Sequence, residues 1–378
     1  MNKKEVAEIK KQFSPSNCAI TRICGCYVDA EKDRKTELKE AFLSLPEEEM
    51  FKYFDIFKKT LSGTIGKNLI NLDFPLEQEL SDGAQTFLLK LRDSKLKDDM
   101  LLDEFYDRVI EHYSYGENYY IILIHAAYDI PGKASDGDEM FDSSEYVYEH
   151  LLCSICPVKL SKAGLCYNEE TNSIMDRIRD WIVEVPQKGF LFPAFTDRNS
   201  DIHSLLYYSK NPEELQSEFV EEFLGCRIPL TAKTQKESFH TIIEETLGNE
   251  CDYEVVKNIH EKLNEIAEEN KENPEPLSLD KTEVKRLLAS SGATEEHLEE
   301  FDRQYEASTG SDQSSFLVSN IASTRKFEVK TPNITIQVNP DRTDLIETKI
   351  IDGRRCIVIQ MDDSVEVNGI HIMGLTKE

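Results

Sequence analysis

Asn118-Tyr119-Tyr120-Ile121-Ile122-Leu123-Ile124-His125-Ala126-Ala127-Tyr128-Asp129 is the longest apolar run in the chain, uncharged until its closing aspartate. Branched and aromatic side chains at this density suit a pleated surface. The run lacks the strict alternation of a half-exposed strand, so both of its faces are expected to be covered, as in the centre of a sheet. It is too short and too interrupted to span a bilayer. It should anchor the core of the first half.

Upstream, Val6, Ile9 and Phe13 fall at helical spacing, and Ser14-Pro15-Ser16-Asn17 ends that helix. Cys18 to Val28 reads as a strand, and the charged stretch Glu31 to Glu40 is expected to open a helix. Pro46-Glu47-Glu48-Glu49 starts another helix, with proline in first place and acids at the positive end of the dipole. Phe51, Phe54 and Phe57 should form its buried face. Lys67 to Phe74 suggests a strand, and Gln85 to Leu91 and Leu101 to Tyr113 suggest helices. Downstream, Pro131 to Ser144 reads as a long polar loop. Tyr146 to Leu160, Gly189 to Phe195 and Ile202 to Tyr208 read as strands, giving a sheet of mostly adjacent strands.

The character changes at Asn211. From there to Gly310 the chain carries 25 acids and 10 bases, and five helices fit. Asp280 with Glu283 has the pattern of a capping box, and Thr294 that of a helix cap. Beyond a Ser/Gly-rich joint the pattern turns to strands, with Asp352-Gly353 and Asn368-Gly369 as two-residue hairpin signals. The expected class is therefore α+β, in three regions: a mixed part over 1–210, an acidic helical part over 211–310 and antiparallel strands over 311–378.

The formal charge of the 378-residue chain is −28. Such a balance opposes broad attraction to phosphate or to anionic membranes. There is no apolar leader and no transmembrane candidate, so a cytoplasmic protein is expected. The nine cysteines fit reduced thiols better than a disulfide framework. Cys153-Ser154-Ile155-Cys156 has zinc-knuckle spacing, but a strand aims its alternate residues at opposite faces, and no second pair lies at the usual offset. Gly63-Thr64-Ile65-Gly66-Lys67-Asn68 imitates a phosphate loop but has the wrong glycine spacing and Asn68 in place of the magnesium-binding hydroxyl, so a helix-ending turn is expected. No cofactor and no metal are implied.

His125 and Asp129 on the central strand, with Asp197, Asp201 and His203 before a later one, are the residue types of a metal-assisted or acid/base hydrolase. Buried polar pairs and turn caps explain them equally well. Helices Asp280–Ala289 and Thr294–Tyr305 have helix-turn-helix proportions, but Glu295, Glu296, Glu299, Glu300 and Asp302 oppose approach to phosphates. A packed helical hairpin is the better reading.

Two likenesses stand beside these readings. Cys18-Ala19-Ile20-Thr21-Arg22, Tyr128-Asp129-Ile130-Pro131-Gly132-Lys133 and Asp201-Ile202-His203-Ser204-Leu205-Leu206-Tyr207-Tyr208-Ser209-Lys210 resemble a bacterial family of unknown function (DUF4317-like). The second half, through Phe219-x3-Phe223-Leu224-Gly225 and Leu230-x-Ala232-Lys233-x-Gln235, resembles the bacterial nucleoid-associated protein family. That second likeness implies a related fold and a chromosome-associated role and carries no catalytic or binding residue across; beside it, the first expectation for function is a non-enzymatic, macromolecule-binding protein. Sequence-independent DNA contact would then fall to bases near the C-terminal strands, Arg325, Lys326, Lys330, Arg342, Arg354 and Arg355. A scaffold whose acidic helices meet a basic protein partner is the further alternative, and the sequence leaves the oligomeric state open.

Overall fold

The computed structural model describes residues 1–80, 82–133, 139–310, 314–360 and 364–373. The chain is α+β and divides into two compact units, Met1–Ala232 and Lys233–Glu378.

The first unit runs α1 (Lys3–Lys11), β1 (Ile20–Val28), β2 (Arg34–Ala41), α2 (Glu47–Thr60), β3 (Leu69–Asp73), α3 (Ala84–Asp93), α4 (Asp99–His112), β4 (Tyr119–Lys133), β5 (Glu139–Leu160), β6 (Trp181–Val183), β7 (Lys188–Phe192) and β8 (Ser204–Ser209). The strands form one antiparallel sheet in the order β2-β1-β4-β5-β7-β8-β3, with β6 paired to β5 beyond the end of β7. The apolar run quoted above is β4, and it is central. Its odd positions Tyr119, Ile121 and Leu123 enter one core with Phe105 and Tyr106 of α4 and Leu88 of α3. Its even positions Ile122 and Ile124 enter a second core with Ile9 of α1 and Phe54 and Phe57 of α2. A period of two thus divides one apolar strand between two helical layers. The sheet is not built wholly from sequential neighbours, because β3 crosses to the far edge and pairs with β8.

Three local expectations are corrected. Residues 34–41 are strand rather than helix. As the edge strand β2 they tolerate charge, which also discourages edge-to-edge pairing, and the charges reach α4: Lys39 bonds Asp99 at 2.9 Å and Arg34 bonds Asp103 at 3.1 Å. The expected loop from Pro131 to Ser144 is shorter at both ends, because β4 continues to Lys133 and β5 starts at Glu139; 134–138 lie outside the described residues. Phe51 faces outward while Phe54 and Phe57 are buried, since it falls off the stripe that α2 turns to the sheet.

The unit boundary at Ala232 does not coincide with the composition change at Asn211. The first of the five expected helices is only a π-helical turn, Phe219–Phe223, and its Phe223 ring packs 5.7 Å from Phe105 in the first core. The second unit holds α5 (Ala232–Leu247), α6 (Tyr253–Glu269), α7 (Lys281–Ser290) and α8 (Glu295–Thr309), followed by short hairpins. Phe239, Leu263, Leu288 and Phe301, one from each helix, meet in a single core with Phe316. The capping box at Asp280 and Glu283 is present, and Thr294 caps α8. Lys285 of α7 bonds Asp302 of α8 at 2.7 Å, as a packed helical hairpin requires. Asp352-Gly353 and Asn368-Gly369 adopt positive φ at both positions, the turn that joins twisted strands. Among the described residues no helix is long and apolar enough to cross a membrane.

Candidate functional site

The five acid/base candidates occupy different environments. His125 is wholly buried on the α3/α4 face of β4, with Nδ1 2.7 Å from Oγ1 of Thr21. Its Nε2 lies 3.8 Å from Glu149 of β5, too far for a hydrogen bond. Burial, more than the opposing pull of Glu149, pushes the imidazole pKa down. Asp129, four residues on, is exposed. Asp197 sits with Arg198 in a hairpin turn, both at positive φ, and its backbone N–H donates to Glu5 at 2.8 Å. Asp201 accepts from the His203 backbone N–H at 3.1 Å and from the Ser204 hydroxyl at 2.7 Å, as a turn cap. His203 is exposed, and its bond to Glu79 at 2.6 Å holds its pKa above the ordinary value. Only Asp201 and His203 are thus brought together, locally, while His125 acquires two neighbours, Thr21 and Glu149, that are distant in sequence.

The thiols at Cys153 and Cys156 point into opposite cores, as strand alternation requires. Among the described residues no three His, Cys, Asp or Glu side chains gather as a metal site. The Gly63–Asn68 stretch is the turn between α2 and β3, where the Asn68 amide donates to the carbonyls of Ser209 and Lys210 at 3.1 Å. The six bases near the C-terminal strands are exposed. Lys326 pairs with Glu328 at 2.7 Å and Arg342 with Asp344 at 3.2 Å. Arg354 and Arg355 follow one another on a strand and so leave it on opposite faces.

The first unit offers a concave apolar site elsewhere. The β4 ladder ends at Pro157, the Val158 N–H makes one last bond to the Asn118 carbonyl at 2.8 Å, and β5 runs on paired with β6. The ladder continues outward through Ser161 and Asp180 to the hairpin of Leu165–Asn168 with Ser173–Asp176. The result is a two-stranded arm, and a two-stranded ribbon alone is marginal in water. Its apolar side chains are nonetheless uncovered. Ile178 is 79% exposed, Ile174 64%, and Trp181, the single tryptophan, 57%. At the root of the arm a groove of 530 Å³ opens between α2 and the 182–185 segment. Tyr53, Ile56 and Tyr120 form one wall and Ile182, Val183 and Val185 the other, with Glu49, Asp55, Glu184 and Lys52 around them. Its volume is within the range of small-ligand sites, and among the described residues strand β6, which supplies Ile182 and Val183 to the lining, pairs with β5 alone.

None of these groove residues is marked by a chemical motif. The one signal was a lone aromatic-aliphatic cluster, Trp181-Ile182-Val183, in a polar stretch otherwise lacking a core pattern. Lys188 was equally silent: it is buried, donates to Ser209 at 2.7 Å and to the carbonyl of Glu214, and burial pulls its pKa down to about 8.

No curated protein and no solved structure shows a significant match to the chain, so the likeness of the second half to nucleoid-associated proteins gains no support. The model of one family covers residues 1–370, and on that match the chain belongs to the family described as Domain of unknown function (DUF4317).

Proposed function

We propose that this is a non-enzymatic binding protein whose first unit takes an extended, basic and apolar segment of a protein partner into the groove at the root of the arm. The carrying observation is the conjunction of an apolar groove with an edge of β6 that no described strand pairs. A strand added at such an edge gains affinity from main-chain bonds and specificity from alternate side chains dropped into a neighbouring pocket. The rim carries three acids and one base in a chain of charge −28, so the complementary segment is basic between its apolar residues. Exposed apolar side chains along the arm extend the same surface and mark an interaction site.

Trp181 makes the test direct. Peptides alternating apolar and basic residues, titrated against its fluorescence, are expected to shift the emission saturably, and Ile182→Glu should remove the shift. Peptides that leave the emission unchanged, or that bind the Ile182→Glu variant equally, would overturn the reading. Concentration-dependent dimerisation abolished by the same substitution would make the occupant a second copy of the chain. Binding to long duplex DNA at low salt, weakened by Arg354→Ala with Arg355→Ala, would instead favour the nucleoid-associated role.

A hydrolase reading retains one observation. The Thr21 side chain is exposed and stands 2.7 Å from a buried imidazole whose other nitrogen faces a carboxylate. That is the order of a nucleophile, a base and its orienting group. Against it, the Thr21 hydroxyl also lies 3.1 Å from the His125 carbonyl, an ordinary acceptor at a strand irregularity. Cleavage of an activated ester that vanishes in both Thr21→Val and His125→Ala would support this chemistry, and equal rates in the three proteins would remove it.

A further inference from the structure

The second unit is acidic, with 30 Asp and Glu against 17 Lys and Arg from Lys233 to Glu378. Three lysines and two histidines nevertheless converge on one cavity of 440 Å³ between α5, α6 and the Phe327–Lys330 strand. Lys236 and His240 lie one helical turn apart on α5, His260 comes from α6, and Lys326 and Lys330 come from the strand side. Nδ1 of His260 is buried and has no hydrogen-bond partner among the described residues. Lys236 and Lys330 have no ion pair among the described residues, although acids dominate the unit.

Two carboxylates also line the cavity, and both are engaged. Asp252 accepts from the Val255 backbone N–H at 3.0 Å as the cap of α6. Glu328 bonds Lys326 at 2.7 Å and the Gln337 amide at 2.9 Å. Three lysines against these two carboxylates leave the lining with a balance of one positive charge when the histidines are neutral. His240 and His260 have pKa values lowered first by burial; Lys236 adds to the effect in both, and His240 acts on His260. An anion in the cavity would relieve that repulsion. The rest of the lining is mostly apolar, with Phe327 and Tyr253 ring to ring at 6.2 Å beside Val256 and Val329, and Ser323 and Cys251 complete it.

We propose that this cavity binds a phosphorylated small molecule, its phosphate held by Lys236, Lys330 and the two histidines and its organic part laid against Tyr253 and Phe327. Lysine acts as a point charge suited to a compact multivalent anion, a neutral imidazole can donate one N–H to it, and no arginine fork among the described lining residues shapes the site for a planar carboxylate. The volume fits a small metabolite. The site is independent of the groove in the first unit.

The test is calorimetry on the full chain at low salt with inorganic pyrophosphate, adenosine diphosphate and adenosine as probes. Both phosphate compounds are expected to bind and adenosine is not. Lys236→Ala and Lys330→Ala should each weaken binding by about tenfold or more. Both lysines are exposed, so neither substitution threatens the fold. The imidazole resonances of His240 and His260 should move on saturation, and Arg354→Ala, outside the cavity, should change nothing. Absence of heat with either phosphate compound at millimolar concentration would overturn the proposal. So would affinity indifferent to both lysines, or binding of adenosine as tight as that of its diphosphate.

Discussion

Nζ of Lys188 lies 2.7 Å from Oγ of Ser209, inside a sheet that leaves both residues almost no contact with water. The lysine pKa is about 8 in the folded chain against an ordinary 10.5. Between these values the unfolded chain binds more protons, so this group's contribution to stability rises with pH. Compared with Lys188→Met, the native protein should gain on the order of 2 kcal/mol between pH 7 and pH 10. Urea unfolding of both proteins at the two pH values checks the sign, and parallel curves would refute it.

His150 gives the acid-side counterpart. It is fully buried and stacks on Tyr148 at 4.5 Å, and among the described residues neither ring nitrogen has a hydrogen-bond partner of good geometry. Burial pulls its pKa to about 3, only slightly countered by the nearby Tyr148 backbone. The unfolded chain takes up the proton near the ordinary 6.5, so stability falls as pH drops from there towards 3. His150→Phe should lessen the loss between pH 7 and pH 4 by on the order of 3 kcal/mol. Thermal melts across that range would show it.

His203 is expected to titrate above a free histidine because it bonds Glu79. A raised folded pKa means that the small stabilisation is present below 6.5 and is lost as pH rises through the folded value. Glu79→Gln should lower the His203 pKa in an NMR titration. No change would show that the contact does not persist in solution.

Gly189 admits no side chain. A Cβ there would stand 2.4 Å from the Cys153 carbonyl and 2.6 Å from the Thr60 methyl, where β7 passes under α2. Gly189→Ala should cost about 1–3 kcal/mol, measured by denaturant midpoint. Gly353→Ala is a contrasting case: nothing lies near its Cβ, but its φ of +75° makes the turn itself the source of strain.

Much of the framework was legible because it rests on local rules. The β4 run, the capping box at Asp280 and the Asp352-Gly353 turn declare themselves through period, cap and φ preference. Residues 34–41 misled because their charges are answered by α4, far along the chain. The Phe219–Phe223 turn misled because composition assigns it to the acidic region while packing assigns it to the sheet. The groove was invisible for a related reason. Tyr53, Tyr120 and Ile182 are ordinary core-type residues, and only the departure of β5 from β4 leaves them uncovered. In the cavity of the second unit, three lysines and two histidines come from three segments up to 94 residues apart, and no local pattern joins those segments.

The alternation of β5 constrains how the gene can change. Leu151, Cys153 and Ile155 serve one core, and Tyr148, Leu152 and Cys156 the other. Loss of a single codon between Tyr148 and Cys156 would turn every residue of the strand beyond it to the opposite side, into a layer shaped for its neighbour. Loss of two codons would preserve the sides and shift only the pairing. Substitutions should therefore be admitted along this strand far more readily than changes of length. Insertions should instead accumulate in the outer hairpin over 165–176, where the ladder can lengthen without disturbing either layer or the groove.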